Sequence, residues 1–180
     1  MSANDEGEFN DLIYRVANEK IHTEEVDCFI WGDSHFAKKD RRVTNAFRNL
    51  CHDLNIRTSV LHDVWDSESI NIHNLKDPII QYKLLREGKN SLKKEFDLLK
   101  EELSWFEDHM DETIVVASNH DDMLDRALVK SDWKDNLTNA EIFLKCLNLK
   151  LSGKAEGGVV PYTINKKFKN NLSTNSETSG

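Results

Sequence analysis

The stretch TIVVASNHD, residues 113–121, decides the fold, because an apolar run ends there in a cluster of side chains that can bind metals. Two earlier stretches have the same build, VDCFIWGDSH at 26–35 and IRTSVLHDVWD at 56–66. Short apolar runs of this kind are typical of buried strands. In an open α/β sheet, ligands bind at the carboxyl ends of the strands. The sequence therefore predicts three strands whose polar ends meet at one edge of a sheet.

The residues at these predicted strand ends are suited to divalent cations. Asp33 and His35 lie two positions apart, so both can face one side of an extended segment. A carboxylate and an imidazole together suit a borderline divalent ion. Asp63 has two oxygens with which to bridge two ions, and Asn119 offers a neutral carbonyl oxygen. His120 is left to serve as a proton donor.

Each motif also has a plain structural interpretation. A lone Asp-x-His is usually a solvated turn, and Asn-His-Asp is most often a helix start with Asn119 or Asp121 as its cap. A lone His62 is expected to be structural. The order of the motifs at three strand ends favours a site instead. Two metals about 3.5–4 Å apart can activate a water and stabilise an in-line phosphoryl displacement.

The three motifs resemble those of a known family. GDSH at 32–35, DVWD at 63–66 and SNHD at 118–121 are similar to the first three signature motifs of the calcineurin-like metallophosphoesterases. Residues 63–91 resemble a narrower branch, which includes the metallophosphoesterase-type deoxyribonucleases of T5-like bacteriophages. The resemblance covers about residues 26–150. It implies an α/β fold, namely the N-terminal part of a calcineurin-like sandwich, with a long helical insertion between the second and third motif strands.

The resemblance also implies a role for each matched residue. The metal ligands would be four residues, with the second carboxylate as the bridge: Asp33, His35, Asp63 and Asn119. His120 would be the general acid or would stabilise the transition state, and Asp66 would orient the ligands or His120. The implied activity is hydrolysis of a DNA phosphodiester by metal-activated water. Mn²⁺ is the first choice of ion because it suits these oxygen and nitrogen ligands, with Mg²⁺, Fe and Zn²⁺ as alternatives.

The sequence departs from the family pattern in two respects. His62 and Ser118 replace glycines, which is tolerable where the backbone does not require positive φ. The family completes its site with later histidines, ending in Gly-His-x-His, whereas this sequence has no histidine after His120. The chain is therefore expected to be a truncated, weakly active enzyme, a non-catalytic remnant or binding subunit, or one part of a site that a second polypeptide completes.

Two further groups of candidate contacts lie near the motifs. His73 is a candidate for an extra metal or phosphate contact, although a lone histidine is more often structural. The basic run KKDRR at 38–42 is either a nucleic-acid contact or the solvated start of a helix. Its cations are four side chains: Lys38, Lys39, Arg41 and Arg42.

Composition bounds the class of protein. The net charge of −8 and the pI near 5.4 argue against a protein that bulk charge holds to nucleic acid. Three unpatterned cysteines predict reduced thiols in the cytoplasm. No apolar run approaches about 18 residues, so neither a membrane span nor a membrane partner is expected. A chain of 180 residues has one domain by default.

The predicted organisation has three parts: an N-terminal extension at 1–25, an incomplete α/β domain at 26–164 and a disordered polar tail at 165–180. A short helix is expected at 11–18, after loose residues at 1–8. Within the domain, the sequence predicts central strands and helices in alternation. The strands are at 26–31, 56–61 and 113–117, and the helices are at 38–54, 78–109 and 123–130.

Local signals refine this organisation. Gly88 is expected to break the long helical region, whose narrow apolar stripe at 92–106 fits packing on another helix, within the domain or in a homo-oligomer. Thr138 to Glu141 read as a capping box that opens a helix to about 147. Pro161 cannot donate a ladder hydrogen bond, so 159–164 is predicted as an edge strand.

Overall fold

Three short strands come first in the chain of the computed structural model, which describes residues 5–9, 12–17, 20–23, 27–71, 76–130, 136–168 and 172–175. They are β1 (Asp5–Phe9), β2 (Leu12–Ala17) and β3 (Lys20–Thr23). They form an antiparallel sheet in the order β1-β2-β3. The predicted helix at 11–18 is therefore wrong over 12–17, and the loose conformation predicted for 1–8 is wrong over 5–8. The apolar residues of the segment at 12–17 have a spacing that fits one face of a helix. However, hydrogen bonding to β1 on one side and to β3 on the other satisfies the backbone of β2 as a strand.

A parallel four-stranded sheet follows. Its strands are β4 (Phe29–Trp31), β5 (Thr58–His62), β6 (Glu112–Val116) and β7 (Leu172–Asn175), in that order across the sheet. All three neighbouring pairs are parallel. The α/β class and the three motif strands are confirmed. The first strand differs in one respect, because β4 lies at the edge of the sheet and not in its centre.

Six helices accompany the described strands, and most of them match the sequence pattern. They are α1 (Arg41–Asp53), α2 (Pro78–Glu87), α3 (Leu92–His109), α4 (Asp122–Lys130), α5 (Ala140–Leu151) and α6 (Val159–Lys167). Gly88 has φ 66° and ends α2, as predicted, because glycine adopts the left-handed conformation without a Cβ clash. The apolar stripe of α3 is buried in the core of this chain. Of the two predicted arrangements, packing within the domain or in a homo-oligomer, this is packing within the domain.

The C-terminal part of the fold corrects two predictions. Residues 159–164 are helical, not an edge strand, because Pro161 occupies the first turn of α6, where its missing N–H costs little. Residues 165–168 and 172–175 belong to the fold and not to a disordered tail. Phe168 and Leu172 are buried, and β7 pairs with β6 along its length. Polar composition alone suggests disorder, but the sheet edge offered by β6 supplies the backbone partners.

The predicted capping box is also wrong. Residues Leu137–Asn139 form a 3₁₀ turn before α5, and no side chain caps the helix there. Asn139 instead accepts a hydrogen bond from the backbone N–H of Leu92 (2.7 Å) and donates to the carbonyl of Asn90 (3.0 Å). It thus ties the start of α5 to the start of α3. Among the described helices, none combines the length and the apolar composition that crossing a membrane requires.

Candidate functional site

The loops that follow β4, β5 and β6 are hydrogen-bonded to one another at the carboxyl edge of the parallel sheet. The backbone N–H of Ser34 donates to the carbonyl of His62 (3.1 Å), and that of His35 donates to the carbonyl of Asp63 (2.8 Å). The Ser67 hydroxyl donates to the carbonyl of His120 (2.9 Å). These bonds join the first motif to the second and the second to the third.

His35 lies at the centre of the resulting cluster. Its Nε2 is 2.7 Å from Asp33 Oδ1, and its Nδ1 is 3.1 Å from Asp66 Oδ1. Its ring meets the ring of His120 edge-on, with centroids 4.9 Å apart. The side chain of Asp66 is 2% exposed and also accepts from the backbone N–H of Ala37 (2.9 Å), so it fixes the orientation of His35 and of the loop that carries it.

Asp63 has one oxygen that lacks a partner. Its Oδ2 lies 2.6 Å from Nδ1 of His62, whereas its buried Oδ1 forms no hydrogen bond with the described residues. Three further buried polar atoms in the third motif are also unpaired there: Ser118 Oγ, His120 Nδ1 and Asp121 Oδ1. A buried polar atom without a partner costs about 1–3 kcal/mol. A ligand at this edge is the kind of group that would satisfy several of them together.

Asp121 is a neighbour that the sequence analysis considered only as a helix cap. Its Oδ2 accepts from the backbone N–H of Ser118 (3.0 Å), within the same loop. Burial raises the pKa of Asp121 to about 6, and the nearby charge of Asp63 adds to this rise. The carboxyl group is therefore poised to change its protonation when a cation or a proton arrives beside it.

The backbone at this edge is held in an uncommon conformation. Four non-glycine residues have left-handed φ values: Asp33 (52°), His35 (38°), Asp63 (55°) and Ser67 (56°). Such residues cost about 1 kcal/mol or more each, and they concentrate at functional sites. Neither His62 nor Ser118 has positive φ. The backbone therefore does not require positive φ at these two positions, so they can be occupied by residues other than glycine.

The structure brings together some of the predicted site residues and not others. Asp33, His35, Asp66 and His120 form one contact network, and Asp63 belongs to its backbone frame. Asn119 is exposed, and its side chain makes no hydrogen bond with the described residues. The prediction for His73 lies outside the described residues.

The basic run is largely paired with acids. Lys38 lies 3.2 Å from Glu68 and 3.5 Å from Asp66, which places its ammonium group beside the cluster. Burial alone would lower the pKa of Lys38, but these two carboxylates outweigh it and raise the pKa. The other paired cations are Lys39, which contacts Glu102, and Arg42, which contacts Asp40. Arg41 is exposed at the start of α1.

Glu95 on α3 is a partly exposed residue whose carboxyl group is buried beside the loop that follows the second motif. Glu95 Oε1 accepts from the backbone N–H of Ser69 (2.8 Å), and its Oε2 has no hydrogen-bond partner among the described residues. Burial raises the pKa of Glu95 to about 8. This residue was not predicted from the sequence. The apolar periodicity of α3 shows which face packs on the core, but it does not show that the carboxyl group of a neighbouring glutamate is buried as well.

The donor types at the edge fit a divalent ion, although their arrangement is incomplete. The described residues include no group of three His, Cys, Asp or Glu side chains arranged to hold a metal. However, Asp33 Oδ1 and His35 Nε2 are 2.7 Å apart, close to the spacing of about 3 Å between adjacent ligands of one ion. The unpaired Oδ1 of Asp63 is a third donor of suitable chemistry. These three residues are the ones that would hold an ion.

Comparisons with protein-family models, with curated proteins and with solved structures found no match for this chain.

Proposed function

We propose that this chain is a metal-dependent phosphoesterase domain that hydrolyses phosphodiesters, with DNA as its first candidate substrate. The observation that carries the proposal is the buried, unpaired Oδ1 of Asp63 at an edge where two other motifs are hydrogen-bonded to its loop. A buried carboxylate oxygen is expected to have a cation or a donor beside it. The resemblance of the three motifs to those of calcineurin-like metallophosphoesterases supports the same chemistry.

The residues of the chain have separable tasks in this mechanism. Asp33, His35 and Asp63 would hold the ion, which when bound supplies Lewis-acid polarisation of phosphoryl oxygens and lowers the pKa of a water. Asp66 keeps His35 oriented through Nδ1. Lys38 attracts the phosphate through its charge. His120, whose ring adjoins that of His35, donates a proton to the leaving oxygen.

A second candidate is a non-catalytic protein that keeps the fold. It is favoured by the exposed side chain of Asn119, which makes no hydrogen bond with the described residues, and by the lack, within those residues, of three ligands already gathered at one point. On this alternative the edge binds an ion or a phosphate without turnover, or a second polypeptide supplies the missing imidazoles.

Titration with Mn²⁺ and an assay with bis-nitrophenyl phosphate test the proposal. We expect weak Mn²⁺ binding and low turnover, both lost in Asp63→Asn. Asp97→Asn is the matched control, because it removes one exposed carboxylate from α3 whose partner is Lys93 and not a residue of the three motifs. Absence of Mn²⁺ binding would reject the proposal, whereas binding without turnover would select the non-catalytic alternative.

A further inference from the structure

A cavity lies at the end of the fold opposite to the carboxyl edge, where α1 and α3 end and β5 begins. Its volume is about 170 Å³, roughly that of five or six water molecules. Arg57 directly precedes β5 and Asp63 directly follows it, so a strand of this length separates the two ends by about 20 Å. The cavity is therefore a distinct place on the protein, and its interpretation does not rest on the proposed function.

The lining of this cavity is basic in an acidic protein. Four of its nine lining residues are arginines or histidines: Arg48, His52, Arg57 and His109. Among the described residues that line it there is no aspartate or glutamate, although the chain has 32 acidic residues against 24 lysines and arginines. Cys51 also lines the cavity, and burial raises the pKa of its thiol to about 11, so the thiol stays neutral. His52 Nδ1 lies 3.3 Å from Asp53 Oδ1 at the rim, whereas Arg57 and His109 contact no carboxylate among the described residues.

Part of this positive charge has a structural explanation. Cations near helix C-termini are stabilising, and His52 and His109 lie in the last turns of α1 and α3. Arg48 stacks over Trp105 at 4.9 Å and lies 3.5 Å from Glu102, which also pairs with Lys39.

These contacts leave donors that face no acceptor. Arg57 uses Nε for Asn55 and Nη1 for the carbonyl of His109, and its Nη2 makes no hydrogen bond with the described residues. His109 donates Nδ1–H to the carbonyl of Trp105, and its Nε2 becomes a second donor only when the ring is protonated. The unpaired Nη2 of Arg57 can donate a charge-assisted hydrogen bond to a phosphate oxygen.

We propose that this cavity binds a phosphate group, carried either by inorganic phosphate or by a small phosphorylated molecule, with Arg57 as its principal contact. The bound group would bridge the end of α3 to the start of β5. Its position, about one strand length from the carboxyl edge, makes it an effector site or an anchor and not part of the phosphoesterase cluster.

Titration of the full chain with inorganic phosphate, followed by backbone amide NMR at low salt, tests the proposal. We expect saturable shifts at residues 48–57 and 105–110, whether or not the carboxyl edge also responds to phosphate. Arg57→Gln is expected to weaken binding by about 10- to 100-fold, the effect of losing a charge-assisted hydrogen bond. A deoxynucleoside 5′-monophosphate forms the second arm. Tighter binding than that of inorganic phosphate would identify a phosphorylated molecule as the source, and equal affinity would identify the free anion.

Arg86→Gln is the matched control, because it removes one exposed positive charge from α2 and should leave affinity unchanged. Arg48→Gln provides a second variant should Arg57→Gln fail to fold, as judged by circular dichroism. Equal weakening by Arg86→Gln would mean bulk attraction, and shifts at the carboxyl edge without shifts at the cavity would place the anion elsewhere. Either result, or no saturation with phosphate, would overturn the proposal.

Discussion

Replacing Glu95 with glutamine should make the protein less sensitive to alkaline pH. The carboxyl group is buried between α3 and the loop of the second motif, where burial raises its pKa to about 8 from an ordinary value of 4.5. Below pH 4.5, both the folded and the unfolded chain hold the proton. Between pH 4.5 and 8, only the folded chain keeps it. Stability therefore falls as pH rises through this window and levels off above pH 8.

The size of the effect follows from the two pKa values. One pKa unit corresponds to about 1.4 kcal/mol, and between pH 6 and pH 8 the loss integrates to about 2 kcal/mol. The pKa of Asp121 is raised to about 6, so most of its own contribution is lost below this interval. A loss of about 2 kcal/mol is a large share of the 5–15 kcal/mol that stabilises a typical domain. The amide introduced by Glu95→Gln cannot ionise, and its carbonyl oxygen can still accept from Ser69.

Urea denaturation at closely spaced pH values, followed by far-UV circular dichroism, measures the difference. Wild-type protein and Glu95→Gln should have similar stability near pH 5, and the variant should be more stable by about 2 kcal/mol or more at pH 8. Glu101→Gln is the control, because it removes an exposed carboxylate from the same helix and should leave the slope unchanged. Parallel pH curves for wild type and Glu95→Gln would refute the reasoning.

Three other predictions follow from the site and the fold. If the chain is active, alone or with a partner that supplies the missing ligands, His120→Asn should lower turnover by about 10²–10⁴-fold and leave Mn²⁺ affinity unchanged. The reason is that His120 acts on the leaving oxygen in the proposed mechanism. An equal loss of bound metal would make His120 a ligand. Asn139→Ala should cost about 1–3 kcal/mol in urea denaturation, because it leaves the buried N–H of Leu92 unpaired; an unchanged midpoint would contradict this. Gly88→Ala should lower stability by about 1 kcal/mol, since φ is 66° there, whereas Gly157→Ala, where a Cβ meets nothing within 4 Å, should have little effect.

Local signals in the sequence predicted much of the fold. Pro78 and Gly88 mark the ends of α2 because their preferences act on their own backbone. The stripe of α3 is predictable because burial repeats with the helical period. The three motif strands were predictable for a similar reason, since each is a short apolar run with a polar exit.

The errors arise where distant contacts decide the structure. Val159 and Val160 favour a strand by their branching, yet they begin a helix because Gly158, with φ 111°, redirects the chain and Pro161 tolerates the first turn. The polar strand β7 exists because β6 offers it a parallel edge about 60 residues earlier in the chain. For the same reason the raised pKa of Asp121 was not predictable, because burial is a property of the assembled fold.

The register of the parallel strands explains why the predicted cluster forms. Trp31 pairs with Leu61, and His62 pairs with Val116, so the three motifs leave the sheet at nearly the same level. A slip of one residue would displace a motif by about 3.3 Å and turn its side chains to the other face. Four of the five left-handed non-glycine residues among the described residues, and four of the unpaired buried polar atoms, then lie in the loops at this edge, each at a cost in stability. Selection for stability alone would remove such costs, so their concentration supports a ligand-binding role for the carboxyl edge, whichever of the two proposed functions it serves.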